Sequence, residues 1–412
     1  VGIDGLVYAA ADAQLLETRL KRRNIELVTE HDPFAEIWKD RPEIPTNEIF
    51  TLSEDVTGES TKSKIKRIVA ALKKEDADSM IMVTLDTVAW TFNIRGNDVN
   101  FNPVAVAYAY ISEKETVLFI NPKKLTVEIA ENLKQQGVTL ADYHKIFDYV
   151  GNLPANETVL VTGSKINRTL LQTIPAHCSV IDVPSPADLM KSKKNKTELK
   201  GFRNAMLKDG LALVKFYMWM EKAVPAGEVT EITIDEKLRE YRSQQPLYFG
   251  ESFSTIAGYK GNGAIVHYRA TPENHLKVDP EGLMLIDSGA QFMDGTTDIT
   301  RTLAVGPLTE QMKKDYTNVL KGHIQIATAI YPQGTRGSQL DVLARKALWD
   351  NCLHYSHGTG HGIGHFLNVH EGPQNIRLEE NPVTLQPGMV TSNEPGLYRA
   401  DEYGIRLENL II

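Results

Sequence analysis

Four acidic residues stand out because each lies in or beside an apolar, strand-like segment in the last third of the chain. Asp287 follows the run LMLI, and Asp298 begins the alternating segment DITRTLAV. Glu394 and Glu408 lie in NEPG and GIRLEN. Burial of a carboxylate is costly unless another group compensates its charge. Any one of these acids is most simply read as an exposed strand residue, but four together indicate a shared site.

A cation would explain why four carboxylates converge. Without one they would repel each other, and their pKa values would rise. Hard oxygen ligands with one imidazole suit manganese, cobalt or zinc better than copper or an iron–sulfur cluster. We therefore expect divalent metal ions at this site.

Between the two acidic pairs lies a stretch rich in histidine and glycine, SHGTGHGIGHFLNVHEGP, at 356–373. His357, His361 and His365 recur every four residues, as on a metal-binding helix, but the glycines between them would each cost such a helix about 1 kcal/mol. A close-packed loop or strand explains the glycines better. A dinucleotide-binding fingerprint is excluded, because Ile363 occupies the position of its last glycine.

Strand register tests whether the acids can meet. Glu394 and Glu408 face each other across a hairpin centred on Asp401. In the other pair, Asp294-Gly295 is the better turn dipeptide, and a tight turn there would leave the aspartates about four residues, roughly 13 Å, apart. Shared ligands cannot lie so far apart, so we expect a wider or bulged loop.

The elements that must position these residues form an α+β catalytic domain at 185–412. A long helix carries Phe202, Met206, Leu213, Phe216 and Met220 at helical spacing, which predicts a core-facing stripe rather than a cofactor site. Residues 46–184 alternate helices with strands and predict a smaller α/β domain that ends near VPSPADLM. Residues 1–45 are too few for their own core and suggest the remnant of a first N-terminal domain and a linker.

The totals exclude several classes of protein. The 412 residues carry a formal net charge of −8, which argues against a nucleic-acid partner. There is no apolar run of membrane-spanning length. Two cysteines give no disulfide framework, which fits a reducing, cytoplasmic location. The chain begins without Met and stops within a strand-like segment, so we expect an excerpt of a longer protein whose true N-terminus, and any signal peptide, lies outside it.

These motifs resemble a known family. Asp287, Asp298, His361, Glu394 and Glu408 match in order and spacing the five metal ligands of the pita-bread metallopeptidases. The flanking segments IVHY, DSGAQFMDGTTDITRT, HGTGHGIG, LNVHEGP, NEPG and GIRLEN are similar to those of the cytosolic-type, three-domain Xaa-Pro aminopeptidases. The resemblance extends across the chain through WKDRPEIP, VAWTFNIRG and VLKGHI.

The resemblance implies the fold, the activity and the roles of the site residues. It implies a truncated pita-bread domain that holds two divalent ions, Mn²⁺ before Zn²⁺ or Co²⁺, and that releases the N-terminal residue of Xaa-Pro peptides by attack of a hydroxide bridging the ions. It also implies a homodimer.

The resemblance further implies roles for individual residues. Glu394 is the candidate general base, and Arg406 a partner that orients the carboxylates and borders the substrate. His267 and His370 match residues for the substrate carbonyl and proline, and His357 matches a further pocket position. His365 departs from the family, and a solvated or hydrogen-bonded role is expected for it.

Two alternatives remain at this point. A prolidase, which cleaves only Xaa-Pro dipeptides, would use the same ligands, although the LNVHEGP and DGTTDITRT flanks and the preceding α/β domain favour the aminopeptidase. A pita-bread protein that has become a binding module is disfavoured because all five ligands are present.

Overall fold

The computed structural model describes residues 1–412 and divides them into two compact units. The first comprises residues 1–99 and 104–191, and the second residues 100–103 and 192–412. Residues 1–45 belong to the first unit, so their origin in a separate domain stays a prediction. None of the helices is both long and apolar enough to cross a membrane.

The first unit is an α/β structure. Its helices are α1 (Ala10–Lys21), α2 (Glu54–Thr57), α3 (Thr61–Leu72), α4 (Leu85–Phe92), α5 (Val127–Gln135), α6 (Lys145–Gly151), α7 (Arg168–Thr173) and α8 (Pro186–Ser192). Its strands are β1 (Phe50–Thr51), β2 (Ser79–Met82), β3 (Ile94–Arg95), β4 (Ala107–Ser112), β5 (Thr116–Ile120), β6 (Thr139–Ala141), β7 (Thr158–Val161) and β8 (Ser179–Asp182).

Six of these strands form one mixed sheet in the order β6-β5-β4-β2-β7-β8. The core of the unit lies where α6 and α7 cover this sheet, around Phe119, Ile146 and Val159.

The second unit places long helices against several small, largely antiparallel sheets. Its helices are α9 (Lys196–Ala223), α10 (Glu231–Ser243), α11 (Glu310–Ala327) and α12 (Gly337–Trp349). Its strands are β9 (Tyr248–Glu251), β10 (Ile256–Tyr259), β11 (Leu283–Ser288), β12 (Ala290–Phe292), β13 (Gly295–Thr296), β14 (Ile299–Ala304), β15 (Gly360–Gly362), β16 (Glu371–Ile376), β17 (Thr391–Asn393), β18 (Gly396–Arg399), β19 (Tyr403–Arg406) and β20 (Asn409–Ile411). Three short 3₁₀ helices complete the chain, at Lys73–Glu75, Pro122–Lys124 and Lys260–Ala264.

Helix α9 confirms the predicted apolar stripe. It begins with a capping box in which Asn195 and Glu198 satisfy each other's free backbone N–H groups. Phe216 and Met220 then pack with Leu238 of α10 and Met284 and Ile286 of β11 in the main core of the unit. This packing fixes β11, and with it the predicted ligand Asp287, against the helical layer. The predicted α+β fold is confirmed.

Candidate metal centre

The hairpin of β11 and β14 brings two of the predicted ligands close together. Asp287 pairs with Thr300, and Asp298 lies two residues before Thr300 on the same strand face. Two residues of strand correspond to about 6.6 Å. This separation is half of what a turn at Asp294-Gly295 would give.

The predicted wider or bulged loop is wrong. Phe292 pairs with Gly295, so Met293 and Asp294 form a tight two-residue turn, one position earlier than the Asp294-Gly295 dipeptide. Gly295 serves close packing instead, because an added Cβ would lie 3.1 Å from the Cβ of Ala205 on α9. Asp294 is held in the turn by Lys208 of the same helix, whose Nζ lies 2.5 Å from its carboxylate. The register that joins the aspartates is thus set by the helix beneath the turn.

The second hairpin follows the predicted register. Gly396 pairs with Arg406 across β18 and β19, which centres the hairpin on Asp401. Asp401 adopts the left-handed conformation, with φ 60°, as a short loop of this kind needs. The same register, continued by two residues, places Glu394 opposite Glu408, as predicted.

The glycine-rich stretch forms the short strand β15 between β16 and β17. A Cβ on Gly360 would lie 2.0 Å from the Ser392 carbonyl oxygen, and one on Gly362 would lie 2.2 Å from the Glu371 carbonyl oxygen. The predicted close-packed strand is therefore confirmed, because any side chain here would push the neighbouring strands away. His361 lies between these glycines and is directed at the acidic residues.

The five predicted ligands line one cavity. The ligand atoms of Asp298, His361 and Glu408 all lie within 4.8 Å of one another. The Nε2 atom of His361 lies 3.5 Å from Asp298 Oδ2 and 3.3 Å from Glu394 Oε1. Asp287 joins the group through its position on β11. Its Oδ2 accepts a hydrogen bond of 2.7 Å from Arg406.

Burial and mutual repulsion change the ionisation of these groups. Burial, together with the charges of Asp287 and Glu394, holds the pKa of Asp298 well above its usual value. The pKa of Glu408 is raised by burial and by the charge of Asp298, and burial raises the pKa of Glu394 to about 8. Burial and the neighbouring His370 lower the pKa of His361 to about 3, so this imidazole is neutral and free to coordinate.

The residues fit a divalent metal ion. Asp287 Oδ1 is buried and receives no hydrogen bond, which leaves an acceptor that a cation would satisfy. Arg406 is the cation that contacts this cluster, and it offsets only part of the charge of four carboxylates. A cation would therefore remove a repulsion that the side chains themselves leave in place.

A cavity of about 760 Å³ opens onto the five ligands. His267, His357, His370 and Arg406 all line it. The rings of His361 and His370 meet edge to face with centroids 4.2 Å apart. The candidate substrate residues therefore border the same space as the candidate ligands.

Sequence reasoning missed Tyr398. Its hydroxyl lies 2.7 Å from His357 Nε2 and accepts a 2.7 Å hydrogen bond from Arg406 Nη1. Tyr398 is four residues from Glu394 on the same strand face, and this parity was the one signal in the sequence that indicated it. It links the predicted pocket histidine to the predicted orienting arginine.

His365 takes the hydrogen-bonded role rather than a place in the cavity. It is buried, lies 3.0 Å from the Asp294 carbonyl oxygen and meets the Phe202 ring edge to face. It therefore ties the glycine-rich stretch to the turn between the two aspartates.

The fold and the site together define a metallohydrolase of the pita-bread type. Residues 200–412 match the model of metallopeptidase family M24, and residues 40–198 match the creatinase/prolidase N-terminal domain. The chain belongs to metallopeptidase family M24.

Individual relatives agree with this assignment. The chain is 40% identical to a probable Xaa-Pro aminopeptidase P of Coprinopsis cinerea, over all of this chain and 69% of that protein. It is 38% identical to aminopeptidase P2 of Arabidopsis thaliana, over all of this chain and 63% of that protein. The chain thus spans about two-thirds of the length of these relatives.

A solved structure is similar over almost the whole chain. The X-prolyl aminopeptidase of Caenorhabditis elegans, described as a cytosolic enzyme with a di-nuclear active site, superposes with a TM-score of 0.93 at 33% identity, over 99% of this chain and 68% of that one. The Xaa-Pro dipeptidase of Bacillus anthracis shares the fold, with a TM-score of 0.69 at 21% identity over 86% of this chain and 95% of that one.

Proposed function

We propose that this chain is a metal-dependent aminopeptidase that releases the N-terminal residue from peptides with proline in the second position. The observation that carries the proposal is the convergence of Asp298, His361 and Glu408 at one end of a cavity large enough for a peptide end. The Coprinopsis cinerea relative, at 40% identity, is described as a probable Xaa-Pro aminopeptidase P, and the Caenorhabditis elegans relative, at 33%, as an X-prolyl aminopeptidase.

Five residues would hold two divalent ions. These ligands would be Asp298 and Glu408 together with Asp287, His361 and Glu394. When bound, the ions supply Lewis-acid polarisation of the scissile carbonyl and a water that ionises near neutral pH. The remaining chemistry is the work of protein side chains.

Glu394 is our candidate for the general base. Its Oε1 accepts a 3.0 Å hydrogen bond from Ser392 and lies 3.3 Å from His361, so the carboxylate is held in one orientation at the cavity wall. A carboxylate in this position can take the proton of the attacking water and pass it on.

His267 and His370 are our candidates for the substrate side. The bond before proline has no N–H, so its leaving nitrogen must receive a proton as the bond breaks. Both imidazoles border the cavity beside the ligands, where one can contact the substrate carbonyl and the other the proline side. His357, held by Tyr398, would shape the adjoining part of the pocket.

Arg406 is our candidate for orienting the carboxylates. Its buried guanidinium donates to Asp287 and to Tyr398 at once, so it couples one ligand to the pocket wall.

Peptide length and metal dependence test this function together. We expect hydrolysis of Ala-Pro-Ala and longer Xaa-Pro peptides, none of Ala-Ala-Ala, loss of activity with chelator and recovery with added Mn²⁺. Released N-terminal alanine is the measurement. Cleavage confined to the dipeptide Ala-Pro would replace the proposal with a prolidase, and activity that persists through exhaustive chelation would contradict it.

Three finer points belong to the same proposal. We propose Mn²⁺ as the ion because oxygen ligands predominate, with Zn²⁺ and Co²⁺ as the competitors. We propose a homodimer on the family resemblance, which light scattering of the purified protein tests. We also propose a cytoplasmic location, since the Caenorhabditis elegans relative is described as cytosolic.

A further inference from the structure

Three charged side chains are buried together beneath the hairpin that carries the two aspartates. Arg242 of α10 donates from Nε to Asp209 of α9 at 2.8 Å, and from Nη1 to Glu251 of β9 at 2.8 Å. The side chains of Arg242 and Asp209 have no exposed surface, and that of Glu251 is 5% exposed. We call these three residues the buried triad.

The triad contacts the chain neighbours of both aspartates. Arg242 Nη2 donates to Ser288 Oγ at 3.0 Å, and Ser288 follows Asp287. Thr297 precedes Asp298, and its hydroxyl donates to Asp209 Oδ2. The buried triad thus contacts both sides of the hairpin, and each contact lies one residue away from a candidate ligand.

These contacts of the buried triad lie where the regular backbone pairing of the hairpin is interrupted. Regular pairing stops after Ser288 with Ile299 and resumes at Gln291 with Thr296, so Asp298 lies in the gap. In this gap the amide of Ala290 donates to the side-chain oxygen of Thr297 at 2.9 Å. The amide of Thr297 still donates to the Ala290 carbonyl oxygen at 2.8 Å. A side chain therefore replaces one of the two backbone hydrogen bonds that a regular pair would form here.

The backbone in this gap is also closely packed on both sides. Ser252 Oγ donates to the Thr297 carbonyl oxygen at 2.9 Å, and a Cβ on Gly289 would lie 2.1 Å from that same oxygen. The strand that carries Asp298 is consequently confined from both sides. A shift of Thr297 would be passed directly to Asp298.

Stability alone is a weak reason for such a cluster. Buried ion pairs are often no more stabilising than well-packed apolar residues of similar volume, because removing the charges from water offsets their attraction. Fixed geometry is what ionic hydrogen bonds supply and apolar contacts do not. The location of the triad at the gap indicates which geometry is being fixed.

We propose that Asp209 and Arg242 are positioning residues, which act through Thr297 and Ser288 to set the separation of Asp287 and Asp298 for shared metal ions. The proposal deepens the proposed function and rests on it, since it requires that the five ligands bind metal. Outer partners of metal ligands commonly change affinity about 10–100-fold when they are removed.

A pair of substitutions at Thr297 isolates the hydroxyl. Thr297→Val keeps the shape but removes both hydrogen bonds of the hydroxyl, the one it donates to Asp209 and the one it accepts from the Ala290 amide. Thr297→Ser keeps the hydroxyl and both bonds. We expect Mn²⁺ affinity, measured by calorimetry on chelator-treated full chain, to fall about 10–100-fold in the first variant and to stay within about threefold of the unsubstituted protein in the second.

Asp98→Asn is the matched control. Asp98 forms a buried ion pair with Lys124 in the first unit, with side chains 1% and 0% exposed. Its loss removes a buried charge pair without touching the hairpin, so we expect unchanged Mn²⁺ affinity. The unfolding temperature of each metal-free variant shows whether any change in affinity follows stability instead.

The outcomes separate this inference from the proposed function. Equal Mn²⁺ affinity in Thr297→Val and the unsubstituted protein would overturn the inference and leave the enzyme assignment intact. A comparable loss in Thr297→Ser or in Asp98→Asn would also overturn it, because the hydroxyl would not be the cause. No Mn²⁺ binding by the unsubstituted protein would overturn both.

Discussion

At the scale of single residues, the centre combines acids that repel one another with a histidine that cannot hold a proton at neutral pH. The pKa of Asp298 is raised by burial and by its acidic neighbours, whereas that of His361 is lowered by burial. Both pKa shifts disfavour the charged form of the side chain, which bulk water would stabilise. A divalent cation reverses the penalty on the acids and uses the neutral imidazole as a ligand.

Removal of one candidate ligand should empty the site. We expect Asp298→Ala to retain the fold and to lower bound metal to less than about one-tenth of the unsubstituted level, because Asp298 is one of the three candidate ligands that lie within 4.8 Å of one another. Metal analysis after dialysis measures the content, and peptide hydrolysis should fall by at least about 100-fold. Asp98→Asn again serves as the control, and unchanged metal content in Asp298→Ala would count against the ligand assignment.

The raised pKa of Glu394 predicts how the metal-free protein responds to pH. Its carboxyl has a pKa of about 8 in the folded chain against an ordinary value of 4.5, so between these values the folded state binds more protons than the unfolded state. The free energy of unfolding should therefore fall as pH rises towards 8 and be lowest above it. At about 1.4 kcal/mol per pH unit, the loss from pH 6 to pH 8 is on the order of 2 kcal/mol.

Urea unfolding at pH 6 and pH 8.5 with chelator present checks this slope. Glu394→Gln, which cannot ionise, should make this slope less steep, and the raised pKa values of Asp298 and Glu408 should keep part of it. Bound Mn²⁺ should reduce the slope further by displacing protons from all three carboxyl groups. The raised pKa assigned to Glu394 would be contradicted if the metal-free protein became more stable from pH 6 to pH 8.5 and Glu394→Gln gained the same amount.

At the scale of elements, β15 shows why glycines accompany the ligand histidine. The neighbouring strands β16 and β17 approach so closely that Gly360 and Gly362 leave no space for a Cβ. These glycines have ordinary backbone conformations rather than left-handed ones, so close approach is the reason for their presence. The glycines lower the local stability of β15, but they allow His361 to lie close to the acids of the hairpins.

Alanine substitutions along this stretch should separate close approach from mere flexibility. A Cβ at Gly360 meets a carbonyl oxygen at 2.0 Å, whereas one at Gly358 meets the Arg377 Cβ at 3.4 Å. We expect Gly360→Ala to cost at least about 2 kcal/mol of unfolding free energy and most of the metal affinity. Gly358→Ala should cost less than about 1 kcal/mol. Equal effects of the two substitutions in urea unfolding would show that the contact is not the cause.

At the scale of the whole molecule, each unit has its own hydrophobic core, and all five candidate ligands belong to the second unit. Metal binding should therefore stabilise the second unit directly. At a free Mn²⁺ concentration 100 times the dissociation constant, the gain is about 2.7 kcal/mol for one ion.

Calorimetric unfolding with and without Mn²⁺ tests this division. We expect the transition of the second unit to move to higher temperature and that of the first to stay in place. Asp298→Ala should remove the shift. A shift confined to the first unit, or one that persists in the variant, would contradict the placement of the site.

The sequence alone was enough to predict the residues of the candidate site, because the candidate ligands stand out by residue type. Acids inside apolar segments, a histidine among glycines and the hairpin register around Asp401 are all local features. The helical stripe on α9 and the α+β fold followed from periodicity in the same way. Each of these signals depends on residues that lie near one another in the chain.

Only the tertiary structure decided how the ligands meet. The turn at Met293 and Asp294 depends on packing of Gly295 against α9, and no dipeptide preference contains that contact. Tyr398 and the buried triad likewise gain their roles from partners between 8 and 88 residues away. A local sequence pattern indicates the conformation that a residue prefers. The distance between two candidate ligands is set by all the elements that pack around them.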